Sequence, residues 1–250
     1  MTTPVLLIHG LFGSLSDPAL LSCFGSTSVL APDLLGYGAK RDEVPRPWTL
    51  EDQADHVAAF VRERTREPVH VVGHSIGGAV AVLLVHRHPA LARSLTSVEG
   101  NFTLGDAFWS KKISTQELHE IEAEVSGFRA DVAAWVGRSG VAPTPFALRV
   151  ATAWLDNQPI TTLRTQAHAV VAATEVSAYL DAVRAILDAG VPLRLLAGAR
   201  ARPGWNVPDW VTARAASNVD IPNTGHLMML EAPQAFADAV LDNLHSVSTS

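Results

Sequence analysis

The chain has 250 residues, 48% of them hydrophobic, and a mean hydropathy of +0.17, which is enough for one large domain with a sizeable core and fits a compact soluble protein. A net charge of −6 and a pI near 5.9, with 19 Lys and Arg scattered along the chain, leave no basic stripe for nucleic acid. Cys23 is the only cysteine, which excludes an intrachain disulfide, a cysteine-based metal site and thiol redox chemistry.

In chain order, Met1-Thr2-Thr3-Pro4 leads at once into an apolar run, with neither a basic n-region nor an apolar h-region. No apolar run reaches membrane-spanning length, so a cytoplasmic protein with no membrane partner is expected. Short β-branched or Leu-rich runs predict strands at Pro4 to Ile8, Thr27 to Ala31, Val69 to Val72, Ser94 to Val98, Leu193 to Ala197 and Asn218 to Ile221. Helices are predicted between them at Leu50 to Arg66, with Thr49 as N-cap, at Ile76 to His88, stopped by Pro89, and at Pro233 to Leu244. This alternation implies an α/β fold, a mostly parallel doubly wound sheet with helices on both faces. The rhythm breaks between Asn101 and Gly190, where helices are predicted near Thr115 to Ser126, Pro145 to Asp156 and Ser177 to Ala189 but no strand. The domain reading is therefore a core of residues 1–100 and 191–250 with a helical cap of residues 101–190 inserted after the strand ending at Glu99. Residues Ser246 to Ser250 read as a frayed tail.

Ligands of open α/β sheets bind beyond the carboxyl ends of the strands, so such a cap walls in the pocket. Its aromatic residues Phe102, Phe108, Trp109, Trp135, Phe146 and Trp154 are candidates to line it, although packing of cap helices onto one another and onto the core is the stronger reading for each taken singly.

Three motifs carry chemistry. Gly73-His74-Ser75-Ile76-Gly77 follows a predicted strand and opens a predicted helix, the setting in which a serine is held on a strained turn with its hydroxyl exposed. His9-Gly10-Leu11-Phe12-Gly13-Ser14 ends the first strand, and its glycines let backbone donors turn inward. The N–H of Leu11, or alternatively of Phe12, and the N–H of Ile76 can then converge on a developing oxyanion, where losing one donor costs roughly 2.7 to 4 kcal/mol. Asn223-Thr224-Gly225-His226-Leu227 follows the last strand and makes His226 the candidate general base, since an imidazole with a pKa near 6.5 can take and return a proton at neutral pH. Of the ten histidines, His9 and His74 read as structural neighbours of the site, His86, His88, His119 and His245 as surface residues, and His168 as the one rival on a cap helix.

The order of HGLFGS, DLLGYG at Asp33 to Gly38, GHSIGG and TGHLMMLEAP at Thr224 to Pro233 resembles the α/β-hydrolase superfamily, especially its small capped serine esterases and carbon-carbon bond hydrolases. The resemblance covers nearly the whole chain outside the cap, and implies that fold without its usual first two strands. It implies a serine-histidine-acid triad acting through an acyl-enzyme, with no metal or organic cofactor. The family's acid usually lies in a G-x-x-D pattern after the penultimate strand, but this chain reads Gly198-Ala199-Arg200-Ala201 there. Glu99, in Ser97-Val98-Glu99-Gly100-Asn101, occupies the alternative acid position used by certain dehalogenases and small esterases, and is assigned as the third member. The competing reading of Glu99 is a strand-end carboxylate that caps a loop or pairs with a residue such as Lys111. Asp209 is the other contender but reads as the N-cap of a helix through Val211 to Ala216, and Asp33 reads as a turn former.

The expected function is hydrolysis of a small or medium apolar ester, thioester or lactone by Ser75, His226 and Glu99, with Leu11 and Ile76 holding the oxyanion and Phe12, His74, Phe102, Trp109, Trp135 and Trp154 lining the pocket. The partner is a small-molecule substrate; oligomeric state is not readable. A dehalogenase or epoxide hydrolase is disfavoured because those need an aspartate where Ser75 stands. Two alternatives remain. One is a lyase or cofactor-free dioxygenase in which His226 and Glu99 move a substrate proton, and the other is a ligand-binding protein that retains the pocket.

Overall fold

The computed structural model describes residues 3–42 and 47–245. The predicted tail at Ser246 to Ser250 lies outside them, as does the side chain of His245. The elements are β1 (Val5–Ile8), α1 (Pro18–Ser22), β2 (Val29–Leu30), α2 (Leu50–Arg64), β3 (Val69–His74), α3 (Ile76–Arg87) and β4 (Ala92–Val98). Six helices follow, α4 (Phe108–Thr115), α5 (Leu118–Ala130), α6 (Val132–Arg138), α7 (Pro145–Asp156), α8 (Ile160–Thr174) and α9 (Ser177–Asp188). The chain then returns through β5 (Leu193–Gly198), α10 (Asp209–Arg214), β6 (Ser217–Ile221), α11 (Met228–Glu231) and α12 (Pro233–His245).

The strands form one parallel sheet of six in the order β2-β1-β3-β4-β5-β6. Every residue of β1, β3 and β5 is buried, the reading expected of parallel strands covered on both faces. All six predicted strands are present. Helix α2 starts at Thr49 through a capping box with Asp52, and α3, apolar on all sides, stops one residue before Pro89 because a residue preceding proline leaves the helical region. The chain steps one way from β1 to β2 and the other way from β2 to β3. Right-handed connections therefore put α2, α3 and α9 on one face and α1 with α12 on the other, where Phe24 and Phe236 meet. The reversal lies between β1 and β3, and the crevice at their carboxyl ends is where such sheets bind ligands.

Between β4 and β5 the expectation of helices without strands holds for the described residues, with differences in detail. The helix predicted at Thr115 to Ser126 spans Leu118–Ala130, and the predictions did not include α4, α6 or α8. Glu117 caps α5 with Glu120 in place of a Ser or Thr, so the usual start signal is missing. Asp209 does not cap α10 but is its first residue, with Pro208 at the N-cap. Helix α4 packs on α8, α6 on α7, and α9 on both α8 and α3.

Candidate active site

The register of β3, β4 and β5 brings His74 opposite Val98 and Val98 opposite Leu196, so the residues that follow these strands emerge side by side at one edge of the sheet. Ser75 sits there at φ 55° and ψ −125°, outside the basins open to most L-residues, and is the N-cap of α3. The flanking glycines are required. A Cβ on Gly73 would strike the Gly77 carbonyl, and one on Gly77 would strike the carbonyls of Ile8 and His9. The Ser75 N–H is bonded to the Val98 carbonyl at 3.0 Å. The N–H groups of Leu11 and Ile76, in contrast, have no hydrogen-bond partner among the described residues. The loop bearing Leu11 is held from behind by Tyr37 of the DLLGYG segment, whose hydroxyl donates to the Leu11 carbonyl at 2.9 Å.

Glu99 follows β4 at φ 42° with its side chain 4% exposed. Its Oε1 accepts the Gly198 N–H at 2.7 Å, and its Oε2 lies 2.6 Å from Nδ1 of His226. A carboxylate oxygen can only accept there, so Nδ1 carries a proton, and in the neutral ring the lone pair lies on Nε2. His226 follows β6, two strands away, and reaches Glu99 because the Thr224–Gly225 segment folds across the end of β5. Only glycine at position 198 allows this, as a Cβ there would strike the Thr224 and Gly225 carbonyls. Lys111 is exposed and makes no contact with Glu99, and Asp33 serves as a turn former by accepting the Ala39 N–H.

Two further histidines brace this arrangement. His9 donates from Nδ1 to the Gly10 carbonyl at 2.8 Å and accepts the Leu34 N–H at Nε2, while His74 donates from Nε2 to the His226 carbonyl at 2.9 Å. Burial pushes the pKa of both below the ordinary histidine value, so both rings are neutral at pH 7. His74 packs against His226 with ring centroids 4.6 Å apart and adds no positive charge beside it. His86, His119 and His168 are exposed, while His88, expected at the surface, is half-buried against Asp55.

Ser75 and His226 share one pocket of about 100 Å³ with Gly10, Leu11, Phe12, His74, Trp109, Trp135, Ser139, Trp154 and Leu227. Among the described residues Ser75 Oγ makes no hydrogen bond to the His226 ring. Phe12 projects into the insertion and meets Trp109, Phe128 and Trp135 edge to face, with centroids 5.8 to 6.4 Å apart. Phe102 does not line this pocket; it is buried against Trp205 beside Gly100. Phe108 is 67% exposed. Sequence reasoning missed Ser139, which sits in a turn with no motif, and Leu227, which follows His226 directly. In the insertion, Lys112, Arg129, Arg149 and Arg164 pair with Glu124, Asp156, Asp17 and Glu117, and Arg138 lies over the Phe128 ring, so none of them lines the pocket.

A solved hydrolase from Pseudomonas aeruginosa PA01 superposes with a TM-score of 0.72 over 97% of this chain and 90% of that one, at 24% identity, a likeness of fold. In sequence, the chain is 35% identical over 98 residues to the putative carbamate hydrolase RutD of Pantoea ananatis, a match covering 38% of this chain and 36% of that protein. It is 28% identical over 134 residues to the 2-hydroxymuconate semialdehyde hydrolase of Pseudomonas sp. strain CF600, covering 47% of this chain and 46% of the relative. The chain thus spans less than half the length of either curated relative. The model of the alpha/beta hydrolase family matches residues 5–239, nearly the entire described chain from β1 into α12, and the chain belongs to that family.

Proposed function

We propose that the protein is a serine hydrolase that cleaves a small or medium apolar carboxylic ester, thioester or lactone through an acyl-enzyme. The observation that carries this reading is the 2.6 Å contact between His226 Nδ1 and Glu99 Oε2, which leaves Nε2 as a base on the pocket wall that also holds Ser75. Ser75 Oγ attacks the acyl carbon as its proton passes to His226 Nε2, and Glu99 stabilises the imidazolium. The N–H groups of Leu11 and Ile76 receive the oxyanion. The tetrahedral adduct collapses as the leaving oxygen or sulfur takes the proton from His226, and water then releases the acyl group by the same steps in reverse roles.

The insertion at residues 101–190 acts as the cap, with Trp109, Trp135 and Trp154 forming the apolar wall opposite Ser75. The absence of a charged side chain from the cap wall argues for an uncharged substrate. Relatives named as carbamate and 2-hydroxymuconate semialdehyde hydrolases extend the acyl partners worth assaying to those bonds. Among the described residues no helix is long and apolar enough to cross a membrane.

The test is the intact mass of the protein after incubation with a fluorophosphonate, with peptide mapping around Ser75. A single adduct confined to Ser75 is the expected result. Folded protein that takes no adduct overturns the acyl-enzyme. It would favour the second reading, in which His226 and Glu99 move a substrate proton while Ser75 only positions the substrate, a reading motivated by the missing Ser75–His226 hydrogen bond.

A further inference from the structure

The segment that usually carries the acid in this family has no carboxylate between Gly198 and Arg202, yet it is tied to both halves of the site. Gly198 N–H holds Glu99 Oε1, and Trp205 Nε1 donates to the Gly100 carbonyl at 2.7 Å. Between them stands Arg200. Its backbone N–H donates to the Thr224 carbonyl at 2.9 Å, its Nη1 donates to the Asn223 carbonyl, and its Nη2 reaches Glu231 Oε2 at 2.5 Å and the Gly140 carbonyl at 3.4 Å. Glu231 closes the circuit, because its Oε1 accepts the Gly225 N–H at 2.8 Å, one residue before His226.

We propose that Arg200 is a positioning residue for His226: braced by Glu231, it holds the Asn223–Gly225 turn in place and couples it to the Ser139–Gly140 turn at the pocket wall. The role rests on the proposed reading of His226 as the base.

Exposed ion pairs contribute little, and Arg200 itself is 45% exposed. Glu231 is not exposed. Its side chain is 8% accessible, and a buried carboxylate must keep its acceptor sites filled. Removing Arg200 leaves Oε2 without its cation, and the carboxylate can then turn toward water only by releasing the Gly225 N–H. Asn223 stands at φ 61°, in the left-handed region that asparagine enters more readily than most residues with a side chain, and the Arg200 contact to its carbonyl is one of the bonds that hold this turn. Relaxation of this turn moves His226 relative to Ser75, and a misplacement of about 1 Å can cost roughly a hundredfold in rate.

The test compares wild type with Arg200→Ala, Arg200→Lys and Arg202→Ala. Arg202, in the same loop as Arg200, pairs with Asp220 of β6 without touching the His226 turn, which makes it the control for loss of a loop cation. Two quantities are measured on folded protein: the His226 imidazole resonances as a function of pH, assigned by their loss in His226→Gln, and the rate of Ser75 phosphonylation. Arg200→Ala is expected to shift the His226 resonances and slow labelling between about tenfold and a hundredfold. Arg200→Lys recovers part of both, and Arg202→Ala matches wild type. Resonances and rates in Arg200→Ala equal to wild type overturn the proposal, as does an equal effect from Arg202→Ala. A wild type that takes no phosphonate overturns the serine-hydrolase reading instead, and the His226 resonances still decide the part played by Arg200. Should Arg200→Ala not fold, Arg200→Lys and Glu231→Gln carry the same comparison.

Discussion

The N–H of Gly198, last residue of β5, donates to Oε1 of Glu99, one residue beyond the neighbouring strand β4, at 2.7 Å. That bond fixes one carboxylate oxygen and turns the other toward His226. Several consequences can be measured.

Glu99→Gln keeps the shape of the side chain but removes the charge that holds the His226 tautomer. It is expected to lower kcat on the order of 10³ to 10⁴-fold with little change in KM. Asp209→Asn, on the surface at the start of α10, should leave both near wild type. Paired steady-state assays check the ordering, and a larger loss in Asp209→Asn overturns the proposed role of Glu99.

The pH dependence of stability follows from His9 and His74. Burial lowers both folded-state pKa values below 6.5, so the unfolded chain binds more protons once the pH falls under about 6.5. Unfolding free energy is fully present above that value and is lost as pH falls toward the folded pKa values, by up to roughly 1.4 kcal/mol per pH unit for each ring. Urea melts at pH 7.5 and 5.5 measure the slope. His9→Asn should flatten it, and an unchanged slope would show that His9 is not held neutral.

Arg194, in β5, has no exposed surface, and among the described residues none of its three guanidinium nitrogens has a hydrogen-bond partner. The hydroxyl of its neighbour across the sheet, Thr96, likewise has no partner among the described residues. A buried cation without a partner is costly, whereas an unbranched apolar side chain of similar reach is not. Arg194→Met is therefore expected to stabilise the protein by about 1 to 4 kcal/mol, read as a rise in Tm by calorimetry. A fall in Tm would reveal an acceptor for the guanidinium in solution.

Trp109 is half-buried on the pocket wall, so truncating it enlarges the cavity at less cost to the core than truncating the buried Trp135 or Trp154. With Trp109→Ala, kcat/KM for longer acyl esters relative to acetyl should rise about tenfold, the scale of a methylene-sized change in fit. Identical chain-length rankings for the two proteins would place Trp109 outside the substrate site.

Much of the fold was legible in the amino-acid order, because its signals are local. Continuous apolar runs mark strands buried on both faces, and the Thr49 and Pro89 boundaries mark helix ends. The Gly73–Gly77 turn is readable because a strained serine between close-packed backbones demands glycine on either side. Local motifs likewise single out Ser75 and His226 as candidates, whereas the missing acid at Ala201 is legible only against the pattern of the family that the chain resembles, and that comparison pointed to Glu99. The tertiary structure decided what depends on contacts distant in sequence. It brought Glu99 and His226 together across β5, possible only because Gly198 has no side chain. It sent Phe102 to Trp205 and away from the pocket, packed α4 on α8 and α6 on α7, and joined Arg200 to Glu231 and Gly140. None of these pairings has a period or a spacing, since each arises from which surfaces meet once the sheet has formed.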